Sequence, residues 1–230
     1  MAHVLVTGAN RGLGLEFVRQ LLARGERVVA TCRQPGRALP LNRLAGEYPG
    51  HLTVLPLTLP EPRSIAELAR ELDALDVRLG LLINNAGASV GGERFGTIAL
   101  DGLRHAFDAN AAGPLLLTQA LAPRLDAHAK VVNLSSGLGS IAGTSALYTP
   151  SYAISKAALN MASKLLSIAL AEHGAIVAAL SPGWVRTDMG GANAPLGADE
   201  SVAAMLRVID RLRPADNGRF LAQTGAAIDW

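Results

Sequence analysis

Two patterns of apolar positions alternate along the whole chain. Short apolar runs, the mark of strands buried on both faces, fall at residues 3–7, 27–32, 52–58, 79–84, 131–134, 175–180 and 219–222. Between them, apolar residues recur three and four places apart, as on one face of a helix. The first such segment carries Leu13, Phe17 and Leu21 and stops at Gly25. Further helices are predicted through 64–68, 100–108, 114–125 (with Pro114 at its start), the stretch opening at Ser151, and 199–212. The first strand, helix and second strand have the length of one βαβ unit, whose crossover is right-handed. The expected fold is therefore α/β: a doubly wound, mostly parallel sheet with helices on both faces. No Pro/Ser-rich linker, repeat or low-complexity tract divides it, so residues 1–230 are expected to form one domain.

Two of the helical segments lack a polar face. One holds Leu115, Leu116 and Leu117; the other holds Ala157, Ala158, Met161, Ala162, Leu165, Leu166, Ile168 and Ala169. A helix that is apolar nearly all round is covered on both sides. The sheet covers one side, so a second subunit is expected on the other. A homodimer or tetramer through helices 114–125 and 152–172 follows.

Composition narrows the partners. At 230 residues, half of them apolar, the chain can bury a large core. The net charge of +2 comes from scattered basic residues, without a basic run or an interleaved aromatic stripe, which argues against nucleic acid. No apolar run approaches the ~18 residues of a membrane span, and the first residues enter a strand directly, so no membrane association and a cytoplasmic location are expected. Cys32 is the one cysteine, which rules out a disulfide within the chain. The five histidines show no ligand spacing, and no metal site is expected.

The chemistry begins at the first turn. Gly8, Gly12 and Gly14 follow a strand and open a helix, the context in which backbone approaches a pyrophosphate and a helix N-terminus offers free N–H groups. Their spacing is G-x-x-x-G-x-G, and Phe17 stands where a third glycine of the commoner spacing would fall. The second strand ends in Thr31-Cys32-Arg33, without the acid that would bind a ribose 2′-hydroxyl and repel a 2′-phosphate. Arg33 and Arg11 are two guanidiniums suited to that phosphate, so NADP(H) is favoured over NAD(H), with a solvated loop residue the lesser reading of Arg33. Tyr152 and Lys156, four apart, share a helix face. A nearby ammonium favours the phenolate and brings a phenol, which titrates near pH ~10, towards the working range.

Thr7-Gly8-Ala9-Asn10-Arg11-Gly12-Leu13-Gly14, Asn84-Asn85-Ala86-Gly87, Asn110, Ser136, Tyr152-x-x-x-Lys156 and Pro182-Gly183 occur in that order. Together they resemble the short-chain dehydrogenase/reductase family across nearly the whole chain. Thr31-Cys32-Arg33, the stretch 155–160, Pro182 to Gly191 and the final Gly218-Arg219-Phe220…Trp230 are most similar to sniffer-type carbonyl reductases and C-factor-like members. The resemblance implies a single-domain Rossmann fold of about seven strands in the order 3-2-1-4-5-6-7.

It also implies an Asn110–Ser136–Tyr152–Lys156 tetrad. In it Tyr152 exchanges the proton with the carbonyl oxygen, Lys156 lowers the phenol's pKa and binds the nicotinamide ribose, Ser136 holds the substrate oxygen, and Asn110 holds a water joining Lys156 to solvent. Strand alternation does not separate Ser135 from Ser136; the family pattern points to the second. Cofactor contacts are implied for Gly8, Asn10, Arg11, Gly12, Leu13, Gly14, Arg33, Thr58, Leu59, Asn85, Ala86, Gly87, Pro182, Gly183, Val185 and Thr187. Thr58 replaces the Asp that many members carry after strand three. Leu138, Tyr148, Trp184 and Met189 are candidates to line the substrate pocket, with loop packing an equal reading for Trp184 and Met189. Sixteen positions separate Ser136 from Tyr152, an enlarged interval, while the segment after Pro182-Gly183 is short, which suggests a pocket without a large lid.

The implied activity is NADPH-dependent reduction of a ketone or aldehyde, or oxidation of the alcohol. Its rival is a nucleotide-binding signalling or sensor protein with little turnover. A sugar-nucleotide epimerase has little room in the short C-terminal half, and no G-x-S-x-G frames a serine hydrolase.

Overall fold

A computed structural model describes residues 2–230. Its strands are β1 (His3–Thr7), β2 (Val28–Cys32), β3 (Leu52–Pro56), β4 (Leu79–Asn84), β5 (Leu125–Leu134), β6 (Ile176–Ser181) and β7 (Arg219–Ala222). They form one sheet in the order β3-β2-β1-β4-β5-β6-β7, and every neighbouring pair is parallel. The order reverses between β1 and β4, which opens a crevice beyond the carboxyl ends of those strands.

Alternation along each strand sends side chains to two cores. Val4, Val6, Val28, Ala30, Ile83 and Leu180 face Phe17 and Leu21 of α1 (Gly12–Ala23), Leu41 of α2 (Leu39–Glu47) and Met205 of α7 (Ala198–Arg211). Leu5, Val29, Leu82, Val131 and Val177 face Leu68 of α3 (Pro62–Ala74), Leu117 of α5 (Gly113–Leu121) and Leu166 of α6 (Pro150–Ala169). Covered on both faces, the inner strands are nearly continuous apolar runs.

The helix α4 (Leu100–Phe107) passes into α5 through one wide π-helical turn, Asp108–Ala112. Pro114 has no N–H, so the Asn110 carbonyl loses the donor that an α-turn would supply four residues on. The widened turn buries the Asn110 side chain completely.

Three element ends differ markedly from those read in the sequence, and one helix is additional. The helix expected over 114–125 ends at Leu121, and a short 3₁₀ turn, Ala122–Arg124, follows, because Pro123 cannot donate into a continuing helix. The fifth strand starts at Leu125 rather than 131, since Leu125 pairs beside Leu79 despite its polar neighbours. Strand three stops at Pro56, the last residue in register with Cys32. The helix α2 was not foreseen; Pro35, Pro40 and Asn42 mask a pattern that Leu41 anchors by complete burial.

The character of α6 also differs. It is not apolar all round: its buried face mixes Leu159, Ala162 and Leu166 with Ser151, Ser155, Lys156, Asn160, Ser163 and Ser167, while Ile154, Met161, Leu165 and Ile168 form an exposed stripe. The inner polar groups are bonded to the sheet and to each other. Asn133 donates to Ser163 Oγ at 2.8 Å, Ser163 donates to the Leu159 carbonyl at 2.7 Å, and Asn84 donates to Asn133 Oδ1 at 2.8 Å.

Candidate active site

The crevice at the strand ends is built outward from the glycine turn. Gly8 has φ +62°, and a Cβ there would lie 2.8 Å from Ala86 Cα, so only glycine lets the two turns touch. The Thr7 hydroxyl accepts the N–H groups of Asn85 (3.0 Å) and Ala86 (2.9 Å). Asn85 Nδ2 donates back to the carbonyls of Thr7 (2.8 Å) and Gly8 (3.2 Å). The Asn85 carboxamide nitrogen is thus committed to building the turn rather than to facing a ligand. At the start of α1 no side chain caps the backbone and no acid occupies the first turn, which leaves its N–H groups and positive dipole end open to an anion.

Beyond β2, Asn10, Arg33, Gln34, Arg37 and Ala38 line a recess of about 320 Å³. Arg37 was not among the sequence candidates; it stands four residues after Arg33, in the 3₁₀ turn Pro35–Arg37, and an R-x-x-x-R after the second strand was its available signal. Arg11 does not line this recess. Its guanidinium donates to Asp188 Oδ2 at 2.7 Å, tying the glycine turn to the loop after β6. Arg33 and Arg37 thus share one recess, while Arg11 is paired with Asp188. The Arg11–Asp188 pair is exposed and contributes at most about 1 kcal/mol.

After β3, the Thr58 N–H is taken by Ser64 Oγ at 2.9 Å, and the Leu59 side chain packs beside Gly113 in the core beneath α5. The Leu59 side chain therefore belongs to packing, not to the crevice. After β6, the Pro182 carbonyl accepts from Ser201 Oγ at 2.7 Å, Val185 is buried and Thr187 lies against Gly12. The Trp184 indole donates to the Gly190 carbonyl at 2.8 Å, which folds this short loop back on itself. Trp184, Met189, Leu138 and Tyr148 are all exposed; Leu138 and Tyr148 lie between Ser136 and Tyr152, and Trp184 and Met189 in the loop after β6.

The tetrad residues converge at the amino-terminal half of α6. Ser135 is buried and donates to Asn160 Oδ1 at 2.6 Å, whereas Ser136 is half-buried and its hydroxyl acts on the Tyr152 phenol in the sense that lowers its pKa. Ser136 Oγ also accepts from the Leu138 N–H at 3.2 Å, capping the turn Gly137–Gly139, which packs directly on the Lys156 backbone. Lys156 is buried; its Nζ donates to the Leu134 carbonyl at 2.6 Å and lies 5.6 Å from the centroid of the Tyr152 ring.

Burial lowers the Lys156 pKa from its ordinary 10.5 to about 8. Burial also raises the Tyr152 pKa, with the Ser136 hydrogen bond pulling the other way. The expectation that the lysine would bring the phenol's pKa down is thus not met in the free chain. Desolvation sets the direction, and Tyr152 is held protonated at neutral pH.

The Asn110 side chain makes three hydrogen bonds. It donates to the Ala88 carbonyl (2.7 Å) and Ser155 Oγ (2.8 Å) and accepts the Ala88 N–H (2.8 Å). Ser155 in turn donates to the Tyr152 carbonyl at 2.7 Å. Both carboxamide N–H groups are therefore committed to holding the loop after β4 and α6. Among the described residues no three His, Cys, Asp or Glu side chains cluster as metal ligands, and no helix is long and apolar enough to cross a membrane.

With this geometry in place, comparison with known proteins is informative. Residues 2–195 match the family model described as short chain dehydrogenase. The C-signal of Myxococcus xanthus is 42% identical over 152 residues, covering 65% of this chain and 92% of that protein. Among solved structures, the carbonyl reductase Sniffer of D. melanogaster superimposes with a TM-score of 0.95 at 32% identity, covering all of both chains. An NADPH-bound carbonyl reductase from chicken fatty liver superimposes with a TM-score of 0.93 at 40% identity, covering 100% of this chain and 99% of that one.

Proposed function

The chain belongs to the short-chain dehydrogenase family, and from that premise we propose that it is an NADPH-dependent reductase of ketones or aldehydes. The observation that carries this reading is the placing of the buried Lys156, held by the Leu134 carbonyl, with its Nζ 5.6 Å from the centre of the Tyr152 ring. The open N-terminus of α1 and the Arg33–Arg37 recess suit the pyrophosphate and 2′-phosphate of NADP(H). When bound, the nicotinamide supplies the hydride that reduces the carbonyl carbon. Tyr152 donates its proton to the carbonyl oxygen, and Ser136 donates a hydrogen bond to the same oxygen as charge develops. Lys156, still mostly protonated at pH 7, stabilises the phenolate left behind.

Raised by burial, the phenol is an acid at neutral pH rather than a base, which favours the reductive direction. Trp184, Met189, Leu138 and Tyr148 suit an apolar substrate. The exposed stripe Ile154, Met161, Leu165 and Ile168, with Leu116 of α5, supports a homodimer through α5 and α6. Sedimentation giving only monomer at micromolar concentration would remove the dimer.

A second reading rests on the similarity to C-signal: a signalling protein that binds a nucleotide with little turnover. A panel of apolar ketones and aldehydes with NADPH decides between them. Sustained turnover supports the reductase; tight NADPH binding without turnover of any panel member supports the signalling reading.

A further inference from the structure

The catalytic helix begins without a cap of its own. Thr149, the residue before it, has φ +38°, a left-handed conformation; its hydroxyl makes no cap bond, and its Oγ1 is buried without a partner. Pro150 has no N–H to offer. The first donor of α6 is therefore the N–H of Ser151, next to Tyr152, and no acid lies in the first turn.

A residue from far away in sequence supplies what is missing. Glu93, in the loop after β4, accepts the Ser151 N–H on Oε2 at 3.0 Å and the Ser151 hydroxyl on Oε1 at 2.5 Å. Five residues before Glu93, the same loop is fastened at Ala88, whose N–H and carbonyl are both bonded to Asn110. Asn110 holds Ser155, and Ser155 holds the Tyr152 carbonyl. The two fastenings thus grip α6 at positions 151 and 155, on either side of Tyr152. A carboxylate at a helix N-terminus is also favoured by the helix dipole.

We propose that Glu93 is a positioning residue for Tyr152: its carboxylate caps the catalytic helix from the loop after β4 and fixes where the phenol stands. The role rests on the reading of Tyr152 as the acid in carbonyl reduction. Glu93 itself touches neither the phenol nor the reacting atoms. Its removal leaves the Arg33–Arg37 recess and the glycine turn intact, but lets the first turn of α6 fray.

The test compares Glu93→Ala and Glu93→Gln with wild type, each shown folded by circular dichroism. Glu93→Ala is expected to lower kcat about tenfold or more, with the NADPH Kd changed less than about twofold, because misplaced catalytic groups cost rate rather than ground-state affinity. Glu93→Gln keeps a carboxamide oxygen for the Ser151 N–H and is expected to recover most of the loss. A Glu93→Ala enzyme with kcat within about twofold of wild type overturns the proposal. So does parallel loss of kcat and NADPH affinity, or a failure of Glu93→Gln to recover.

Should wild type turn over no carbonyl at all, the reductase reading fails, and the role of Glu93 is read separately. In tyrosine labelled with ¹³C at Cζ, with Tyr152 assigned from Tyr152→Phe, the Tyr152 resonance is expected to move in Glu93→Ala and return in Glu93→Gln, while Tyr48 stays. An unmoved Tyr152 resonance overturns the positioning role.

Discussion

The ammonium of Lys156 lies 5.6 Å from the centre of the Tyr152 ring while it donates to the Leu134 carbonyl at 2.6 Å. Both groups are shifted by the same cause in opposite senses: burial disfavours each charged form, lowering the lysine to about 8 and raising the phenol. In the free chain the acid is therefore ready at neutral pH, and the cation that must receive its negative charge is the group that fails first in base.

A pH profile follows from that order. The value of kcat/KM for NADPH, which reports the free enzyme, is expected to be level between pH 6 and 7.5 and to fall as pH rises through about 8. The fall tracks loss of the Lys156 proton, not ionisation of Tyr152, which lies higher. Initial rates with a saturating carbonyl across pH 6–10 check it.

The same burial costs stability. The folded pKa of Lys156 lies below its ordinary value, so the unfolded chain holds the proton more tightly between about 8 and 10.5. The cost is full below pH 8 and is relieved as pH rises through that window. The shift from 10.5 to about 8 corresponds to roughly 3 kcal/mol. Losing the hydrogen bond to Leu134 takes back about 1 kcal/mol. Lys156→Met is expected to be inactive and more stable by about 2 kcal/mol at pH 7, with the gap closing by pH 9.5. Urea unfolding at both pH values measures it; Tyr152, raised above 10, acts only beyond this range.

Cofactor choice is expected to reside in Arg33 and Arg37. Replacing either by alanine is expected to raise the NADPH Kd roughly 10- to 100-fold, the worth of a charge-assisted hydrogen bond, and to leave the NADH Kd nearly unchanged. Arg11→Ala is expected to cost less than about fivefold, because its guanidinium is already paired with Asp188. Fluorescence titration of the three variants with both dinucleotides separates the contributions.

The strands were legible because a parallel sheet covered on both faces demands unbroken apolar runs, and the glycine turn because backbone contact between Gly8 and Ala86 leaves no alternative residue. Tyr152 and Lys156 were legible because four residues is one helical turn. What the sequence concealed depends on distance along the chain. The Arg11–Asp188 and Glu93–Ser151 pairs join residues 177 and 58 positions apart, and no local pattern announces them. The polar part of the buried face of α6 was hidden for another reason. Its inner Ser163 and Asn160 are tolerable because Asn133, Ser135 and the Gly139 carbonyl meet them, and those partners lie on other elements. The direction of the Tyr152 shift was misread because charge proximity can be seen in a sequence and desolvation cannot.

The central claim is that the Tyr152 phenol gives the proton that completes carbonyl reduction, and Tyr152→Phe tests it most directly. Single-turnover reduction of a carbonyl that wild type accepts, at saturating NADPH, is expected to slow by about 10²–10⁴-fold, with the NADPH Kd changed less than about twofold. A Tyr152→Phe protein that reduces the same carbonyl at a rate near that of wild type would contradict the account.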